Sequence, residues 1–471
     1  MKKAGVLMPV ASLPSNHGIG DFGKSSYNFV DLISKAGFKI WQILPLNPLG
    51  YGNSPYQPYS SYAMDELYIS LDMLKKKKLI KHLSDFYDRK DRILYNEVRD
   101  FKKPFLIEAF NNFTEDDNYH NFINNNAWVK AYAEFITLKK KNNLKCWVEW
   151  DNKELTGDDD EHIRYEMFIQ YVLYMQWNEL KKYANDKGIE IMGDIPFYVG
   201  LDSEDVYDHK ECFLLDSDGR PSFIAGVPPD YFSATGQRWG NPIYDWDHLM
   251  KHDFDFWINR IAYTAKMFDI IRIDHFRAFD TYWKINASCP TAIDGKWVEA
   301  PGYAFFDTLF AKYKDIHIVA EDLGDLRPEV LVLRDHYHFK GMNVIEFTFD
   351  PKNVKPIAEN MIVYTGTHDN QTLRGWYKGN SLKYKRACTK YFKENGYNYD
   401  LVNDNFISYA FNSDAKMAII PLFDLLNKDD KYRLNTPGTI GDPNWQAKIN
   451  SFDEFKKVLP KYKKMIKNSG R

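Results

Sequence analysis

Short runs of consecutive apolar residues recur along the chain, and each one ends in a polar or glycine-containing segment. Continuous aliphatic and β-branched runs of this length are typical of parallel strands that are buried on both faces. Between most of them lie segments with apolar residues at helical spacing. Eight runs are predicted as strands: GVLMPV (5–10), KIWQILPL (39–46), IEIMGDIPF (189–197), IIRIDHF (270–276), IHIVAED (316–322), MNVIEF (342–347), MIVYTGTHD (361–369) and MAIIPLFDLL (417–426).

Strands that alternate with helices predict βαβ units, and eight such units favour a closed (β/α)8 TIM barrel over an open doubly wound sheet. We therefore expect residues 1–471 to form a single catalytic barrel. Two intervals between strands are longer than a crossover helix requires. The interval at about 47–165 predicts a largely helical inserted subdomain, and the one at about 198–250, rich in Gly, Pro and Asp, predicts a loop-rich one. Both follow strands, which places them on the C-terminal face of the barrel.

Composition narrows the class of protein further. A hydrophobic fraction of 44% allows a large core, and a net charge of −3 gives no electrostatic case for binding nucleic acid or membranes. No apolar run approaches the roughly 18 residues of a membrane span. The cysteines are far apart without metal-ligand spacing, which favours free thiols in a reducing cytoplasm. They are Cys146, Cys212, Cys289 and Cys388.

Three acidic residues lie at the ends of predicted strands: Asp274, Glu321 and Asp369. In a barrel of parallel strands, the C-terminal strand ends meet on one face and carry the catalytic side chains. Two carboxylates on either side of a scissile bond, with a third nearby, are the groups that glycoside chemistry requires. The pattern therefore predicts a glycoside-cleaving site.

Neighbouring residues suggest how the first two carboxylates differ. Arg272 projects to the same face of its strand as Asp274, so its charge is expected to keep Asp274 ionised and to lower its pKa. Glu321 follows the apolar run IVA, and burial there would raise its pKa and suit a general acid. A structural Arg–Asp pair is the alternative for Asp274. The sequence leaves open whether Glu321 or the adjacent Asp322 carries out the chemistry.

Asp369 lies in the polar segment TGTHDNQT, where His368, Asn370 and Gln371 offer hydrogen bonds to sugar hydroxyls. The alternative is a polar turn that caps a helix, because Thr, Asp and Asn are all favoured at helix starts. A His-Asp-Asn triplet alone is weak evidence for function.

Two loops rich in Gly, Pro and Ser carry aromatic residues suited to stacking on sugar rings. The segment 226–246 holds loop formers and aromatic residues side by side, and 51–63 follows the second strand. Most aromatic residues of the chain are expected to fill the core, but those within Pro/Gly loops are less suited to that role. The candidate binding residues of these loops are Tyr56, Tyr59, Asp230, Tyr231, Phe232, Trp239 and Asn241.

Taken together, these segments resemble the amylomaltases, the 4-alpha-glucanotransferase family of the alpha-amylase superfamily. The resemblance runs nearly end to end. It rests on PVASLPSNHGIGDFG (9–23), SPYQPYSSYA, DIPFYVGLDSEDV (194–206), GVPPDYFSATGQRWGNP, RIDHFRAF, AEDLG, TGTHDNQT and NTPGTIGDPNW (435–445). It implies Asp274 as nucleophile, Glu321 as acid/base and Asp369 as transition-state stabiliser. It also implies that Arg272, His368 and Asp194 support sugar binding, and that no metal or organic cofactor is used.

The function expected from this resemblance is transfer of an alpha-1,4-glucan segment to the 4-hydroxyl of an acceptor glucan or glucose. A covalent intermediate on Asp274 would make the reaction retaining. The partners expected are alpha-1,4-glucans and maltooligosaccharides, with no obligate protein partner. A plain alpha-1,4-glucan hydrolase is the first alternative. A non-catalytic glucan-binding protein is the second, although a pure binder has no need of three aligned carboxylates.

Overall fold

A computed structural model describes residues 2–87, 91–229 and 233–471 of the chain. Within these ranges the strands are β1 (Lys3–Leu7), β2 (Ile40–Gln42), β3 (Glu190–Ile195), β4 (Phe223–Val227), β5 (Gln237–Pro242), β6 (Ile270–Ile273), β7 (Thr281–Asn286), β8 (Gly295–Glu299), β9 (Ile318–Ala320), β10 (Gly341–Val344), β11 (Met361–Tyr364) and β12 (Met417–Pro421). They form one eight-stranded sheet and one four-stranded sheet.

The eight-stranded sheet has the order β10-β11-β12-β1-β2-β3-β6-β9, and the ladders between neighbours are all parallel. A parallel bridge between Val319 and Lys340 joins its two ends. The bridge is supported by the Ala320 N–H, which donates to the Lys340 carbonyl at 2.9 Å. The sheet therefore curls into the barrel that the sequence predicts, and each of its strands lies inside one of the eight predicted runs or overlaps it.

Two predicted strands end earlier than expected because the chain turns at once into a helix. The run 342–347 divides between β10 and a short helix, and the run 417–426 does the same after β12. Apolar residues continue across both junctions, so hydrophobicity alone did not locate the ends.

Helices connect the strands and fill the long intervals. In the first half of the described chain they are α1 (Lys24–Ala36), α2 (Leu71–Lys76), α3 (Tyr95–Asn111), α4 (Asp117–Asn125), α5 (Trp128–Lys141), α6 (Asp160–Asp186), α7 (Glu204–Asp208), α8 (Trp246–Lys251) and α9 (Asp255–Met267). In the second half they are α10 (Gly302–Lys312), α11 (Pro328–His336), α12 (Ile345–Thr348), α13 (Leu373–Gly379), α14 (Leu382–Glu394), α15 (Val402–Asn412), α16 (Leu422–Leu425) and α17 (Asp453–Asn468). No described helix is both long and apolar enough to cross a membrane.

The two long intervals differ in content. The interval 47–165 holds α2 to α5 and the start of α6, which then returns to β3. The interval 198–250 holds α7, α8, β4 and β5, and its two strands belong to an antiparallel sheet of order β5-β4-β7-β8. Because β7 and β8 come from residues 281–299, this sheet joins two separate parts of the chain. The sequence pattern did not predict it.

Candidate active site

Neighbouring barrel strands bring the acidic residues to one rim. Asp194 on β3 lies directly opposite Arg272 on β6, and Ile273 lies opposite Ala320 on β9. Asp274 and Glu321 are the next residues after that last pair. Since hydrogen-bonded strands are about 4.8 Å apart, this register brings the two carboxylate-bearing residues side by side.

Backbone hydrogen bonds continue past the strand ends and fix these two residues. The Asp274 N–H donates to the Ile195 carbonyl, and the Glu321 N–H donates to the Ile273 carbonyl, each at 3.0 Å. His275 follows with a φ of 52°, in the left-handed region that a non-glycine residue seldom occupies. Its N–H donates to Glu321 Oε2 at 2.8 Å, so the unusual backbone turns a donor towards the carboxyl group.

A buried guanidinium links two of the acidic groups. Arg272 Nη1 donates to both carboxylate oxygens of Asp194 at 2.8 Å and to Asp274 Oδ1 at 2.9 Å. Arg272 Nη2 also donates to Asp274 Oδ1, at 3.0 Å. Tyr56 completes the group, because its hydroxyl donates to Asp194 Oδ2 at 2.7 Å. Asp194 is fully satisfied and buried, whereas the Asp274 side chain keeps 30% of its surface exposed.

The two members of the Glu-Asp pair face different surroundings. Asp322 is buried, accepts from the Met342 N–H at 2.7 Å and forms an ion pair with Arg334. These contacts hold β9 to β10 and α11. Glu321 is only half-buried and lies beside Asp274 on the open side of the rim. The structure therefore gives Asp322 a structural role and leaves Glu321 as the candidate for chemistry.

Asp369 reaches the same region from the loop after β11. Its side chain is 46% exposed, and its Oδ2 lies 3.5 Å from His368 Nε2. Tyr56 stacks on the His368 ring at a centroid distance of 4.9 Å and an interplanar angle of 15°. Because the same Tyr56 binds Asp194, one aromatic side chain connects the Asp369 loop to the Arg272 group.

Burial shifts the titration of both neighbouring carboxyl groups. It raises the pKa of Glu321 to about 7, although Arg272 opposes the shift. Burial also raises the pKa of Asp274 well above its ordinary range, and the charges of Asp194 and Glu321 add to this effect. The expected lowering of the Asp274 pKa is therefore wrong. Arg272 does lower it, but one guanidinium shared with Asp194 does not offset burial among several like charges.

The predicted binding residues Trp239, Tyr59 and Asn241 differ in their contacts. Trp239 contacts the ring of His275 edge to face at 4.8 Å, and His275 is the residue whose N–H binds Glu321. Tyr59 instead packs under the Lys139 ammonium group, 4.6 Å from its ring centroid, in the contact between α5 and the barrel loops. Asn241 is buried and donates to the Val199 carbonyl at 2.9 Å, so its amide group ties β5, the strand that carries Trp239, to the segment after β3.

Related sequences and structures show the family of this chain. The family model described as 4-alpha-glucanotransferase matches residues 8–453. A 4-alpha-glucanotransferase of Clostridium butyricum is 40% identical, covering 94% of this chain and 96% of its own. One from Thermus thermophilus is 38% identical, covering 94% of each chain. The structure of an amylomaltase from Streptococcus agalactiae in complex with acarbose superposes with a TM-score of 0.95 at 36% identity over the whole of both chains.

The chain belongs to the 4-alpha-glucanotransferase family. The predicted resemblance, the barrel fold and the assignment as a glucan-processing transferase are thereby confirmed. Membership supports transglycosylation over the hydrolase alternative. An amylomaltase from Corynebacterium glutamicum, with a TM-score of 0.83 at 17% identity, shares the fold.

Some residues of this family member were not predicted from the sequence. Asn435 Nδ2 donates to Asp369 Oδ1 at 2.7 Å, and Arg433 donates to the Asp369 carbonyl at 2.8 Å. Trp445 packs beside both Tyr56 and His368. Asn435 and Trp445 bound the segment NTPGTIGDPNW, whose turn-forming composition was noted for the resemblance.

Three of the predicted binding residues, Asp230, Tyr231 and Phe232, lie outside the described residues. Among the described ones, a single group of three side chains could hold a metal ion: His209, Glu211 and Cys212. This group lies after α7, in the interval between β3 and β4. The expectation that the reaction uses no metal or organic cofactor stays a prediction.

Proposed function

We propose that Asp274 and Glu321 carry out a retaining double displacement on alpha-1,4-glucans. Asp274 attacks the anomeric carbon and forms a glycosyl ester while Glu321 protonates the departing glucan oxygen. Glu321 then takes a proton from the 4-hydroxyl of an acceptor glucan or glucose, which displaces Asp274 and restores the alpha linkage. The register of β6 and β9, which places these two residues side by side, is the observation that supports this assignment.

The proton has to reside on Glu321 when the donor binds. Two carboxyl groups this close titrate as a coupled pair. In the described part of the chain, the Arg272 cation donates two hydrogen bonds to Asp274 and none to Glu321, which accepts from the neutral backbone N–H groups of His275 and Leu323. The negative charge of the singly ionised pair is therefore favoured on Asp274. A Glu321 pKa of about 7 suits a group that must both give and take a proton near neutrality.

Asp369 is proposed as the transition-state stabiliser, with His368 beside it as a hydrogen-bonding partner for the same sugar. Burial lowers the pKa of His368, so its ring is neutral near pH 7 and can both donate and accept. Arg272, Asp194 and Tyr56 are proposed to hold Asp274 in place as well as to line the sugar site. The bonds of Tyr56 and Arg272 to Asp194 support this role.

Transfer requires that an acceptor sugar occupy the site in preference to water. Trp239, packed against His275, is proposed to form part of an acceptor platform, together with Tyr231 and Phe232. We further propose that about 47–165 and about 198–250 act as subdomains inserted into the barrel. The helices of the first and the strands of the second support that division. A cytoplasmic setting is proposed from the four described cysteines, which form no disulfide.

Incubation with maltotriose tests the reaction directly. A transferase yields glucose together with a ladder of longer maltooligosaccharides, whereas a hydrolase yields only maltose and glucose. Chromatography of the products separates these outcomes. In a complex with bound glucan, the carboxyl groups of Asp274 and Glu321 should lie about 5–5.5 Å apart, as in retaining enzymes. A separation of about 9 Å would indicate an inverting mechanism and contradict the assignment.

A further inference from the structure

Glu346 is a half-buried acidic residue that the mechanism above does not use. It follows β10, and β10 pairs with β11 so that Val344 lies opposite Tyr364. The pairing continues past the strands, because the Glu346 N–H donates to the Thr365 carbonyl at 3.4 Å. Glu346 is thereby placed beside Gly366, where an added Cβ would lie only 2.8 Å from Glu346 Oε1. The carboxyl group is thus held against the backbone that leads to Asp369.

The two oxygens of this carboxyl group differ. Oε2 accepts a hydrogen bond from Asn370 Nδ2 at 3.2 Å. Oε1 is buried and has no hydrogen-bond partner within residues 2–87, 91–229 and 233–471. A buried carboxylate oxygen without a donor is costly, whereas a neutral acid avoids most of that cost. The unpartnered Oε1 therefore favours the protonated form, while the Asn370 hydrogen bond to Oε2 lowers the pKa of Glu346.

The charges around Glu346 favour the same form. Burial raises its pKa to about 9, and the negative charge of Asp424 adds to the effect. Asp430 acts in the same direction, while Arg433 opposes it. Two hydrogen bonds hold the Asp424 carboxyl group in place: its oxygens accept from Thr365 Oγ1 and from the Leu373 N–H. Glu346 thus lies near the acidic groups of Asp424 and Asp430, whose effect on its pKa Arg433 opposes.

Asn370 connects Glu346 to the active site. Its Oδ1 accepts from the N–H and from the hydroxyl of Thr367, both at 2.8 Å. The Thr367 hydroxyl in turn accepts from the Asp369 N–H at 3.3 Å. The Asn370 side chain therefore closes the turn that carries His368 and Asp369. A change in the orientation of the Asn370 amide would shift both residues.

We propose that Glu346 is a positioning residue that, as a neutral carboxylic acid, holds the Asn370 amide and so fixes the turn that presents Asp369 to the sugar. This inference rests on the role proposed above for Asp369. Ionisation of Glu346 at alkaline pH places a negative charge beside Asp424 and Asp430 and loosens the turn. Glutamine at this position supplies the same shape without an ionisable proton.

Two variants of Glu346 distinguish the effect of its side-chain shape from the effect of its ionisable proton. Glu346→Gln should keep kcat/KM for maltotriose within about threefold of the wild type at neutral pH. Glu346→Ala should lower it about 10–100-fold, mainly through kcat, because a displacement of about 1 Å at the chemistry has an effect of this size. If Glu346 acts through Asn370, adding Glu346→Ala to Asn370→Ala should cause little further loss. Circular dichroism and thermal melting establish that each variant is folded.

Infrared difference spectroscopy measures the protonation state itself. The wild-type spectrum minus that of Glu346→Gln should contain a carboxylic-acid C=O band near neutral pH that disappears as the pH rises through about 9. Absence of the band near neutral pH would overturn the proposal. So would a Glu346→Gln variant as impaired as Glu346→Ala, or strictly additive effects in the double variant. If Glu346→Ala does not fold, the band and the Glu346→Gln kinetics still decide the question.

The experiment also distinguishes this inference from the proposed function. Should Asp369→Asn retain turnover, the role assigned to Asp369 would be wrong, and the infrared band would be unaffected. Conversely, an inactive Asp369→Asn together with an absent band would leave the proposed reaction intact and remove the role of Glu346.

Discussion

Replacement of Glu321 by glutamine gives the sharpest test of the proposed proton transfer. Glu321 has a pKa raised by burial to about 7, and the reaction needs its protonated form when the donor bond breaks. Because deprotonation removes the active form, kcat/KM of the wild type should fall as the pH rises through about 7. A group with that pKa is half protonated at pH 7 and about one-hundredth protonated at pH 9, so the fall between them should be about 50-fold.

The variant should change both the rate and the pH dependence. With maltotriose, Glu321→Gln should lose on the order of 10²–10⁴-fold in kcat/KM, since glutamine cannot protonate the leaving group. With alpha-maltosyl fluoride, whose leaving group needs no proton, the first step should recover. Fluoride release measured from about pH 5 to pH 9 should then show no alkaline fall.

Asp322→Asn is the matched control, because it alters the adjacent carboxyl group. Asp322 binds the Met342 N–H and Arg334, so this variant should lose stability. It should keep an alkaline fall, moved to a lower pH, because the Asp322 charge contributes to raising the pKa of Glu321. If Glu321→Gln still shows a fall near pH 7 with the fluoride donor, another group titrates there. The assignment of the acid/base would then be wrong.

The remaining predictions concern the nucleophile, its partner and the aromatic loop. Asp274→Asn should lower kcat at least about 10⁴-fold while calorimetry shows maltotriose binding largely unchanged, and substantial residual turnover would place the nucleophile elsewhere. Arg272→Lys should lose much of the about 3–5 kcal/mol that breaking a buried ion pair costs, measured by chemical denaturation, because one ammonium cannot reproduce its bonds to both Asp194 and Asp274. Alanine at both Tyr231 and Phe232 should lower the ratio of transfer to hydrolysis several-fold in the maltotriose assay. An equal loss of both reactions would instead assign these residues to the donor site.

The sequence was most informative about features that depend on a single strand. All eight barrel strands were predicted, because a strand buried on both faces has to be apolar throughout. The three carboxylates were found for a related reason, since each interrupts or follows such a run where the chain reaches the rim. Strand ends were less accurate, as at 342–347, because a helix that follows at once continues the apolar pattern.

A local sequence pattern could not predict which residues from different strands contact each other in the site. Arg272 was expected to contact Asp274, but its position opposite Asp194 comes from the register of β6 on β3. The strand pattern therefore predicted the correct neighbour of Asp274 but the wrong direction for its pKa. That pKa depends on how many acidic groups surround the residue and on how much water reaches it.

The order of apolar and polar positions by itself determined the strands, the helices between them, the barrel they form and the acidic residues at its rim. Each of these follows from whether single residues are buried, and burial produces a regular pattern of apolar positions in the sequence. Only the tertiary structure decided which residues meet: Asn435 on Asp369, Asn370 on Glu346, and two distant segments in the sheet β5-β4-β7-β8. Hydrophobicity records that a residue is buried and leaves its partner unspecified, since contacts between distant segments depend on the packing of the whole chain.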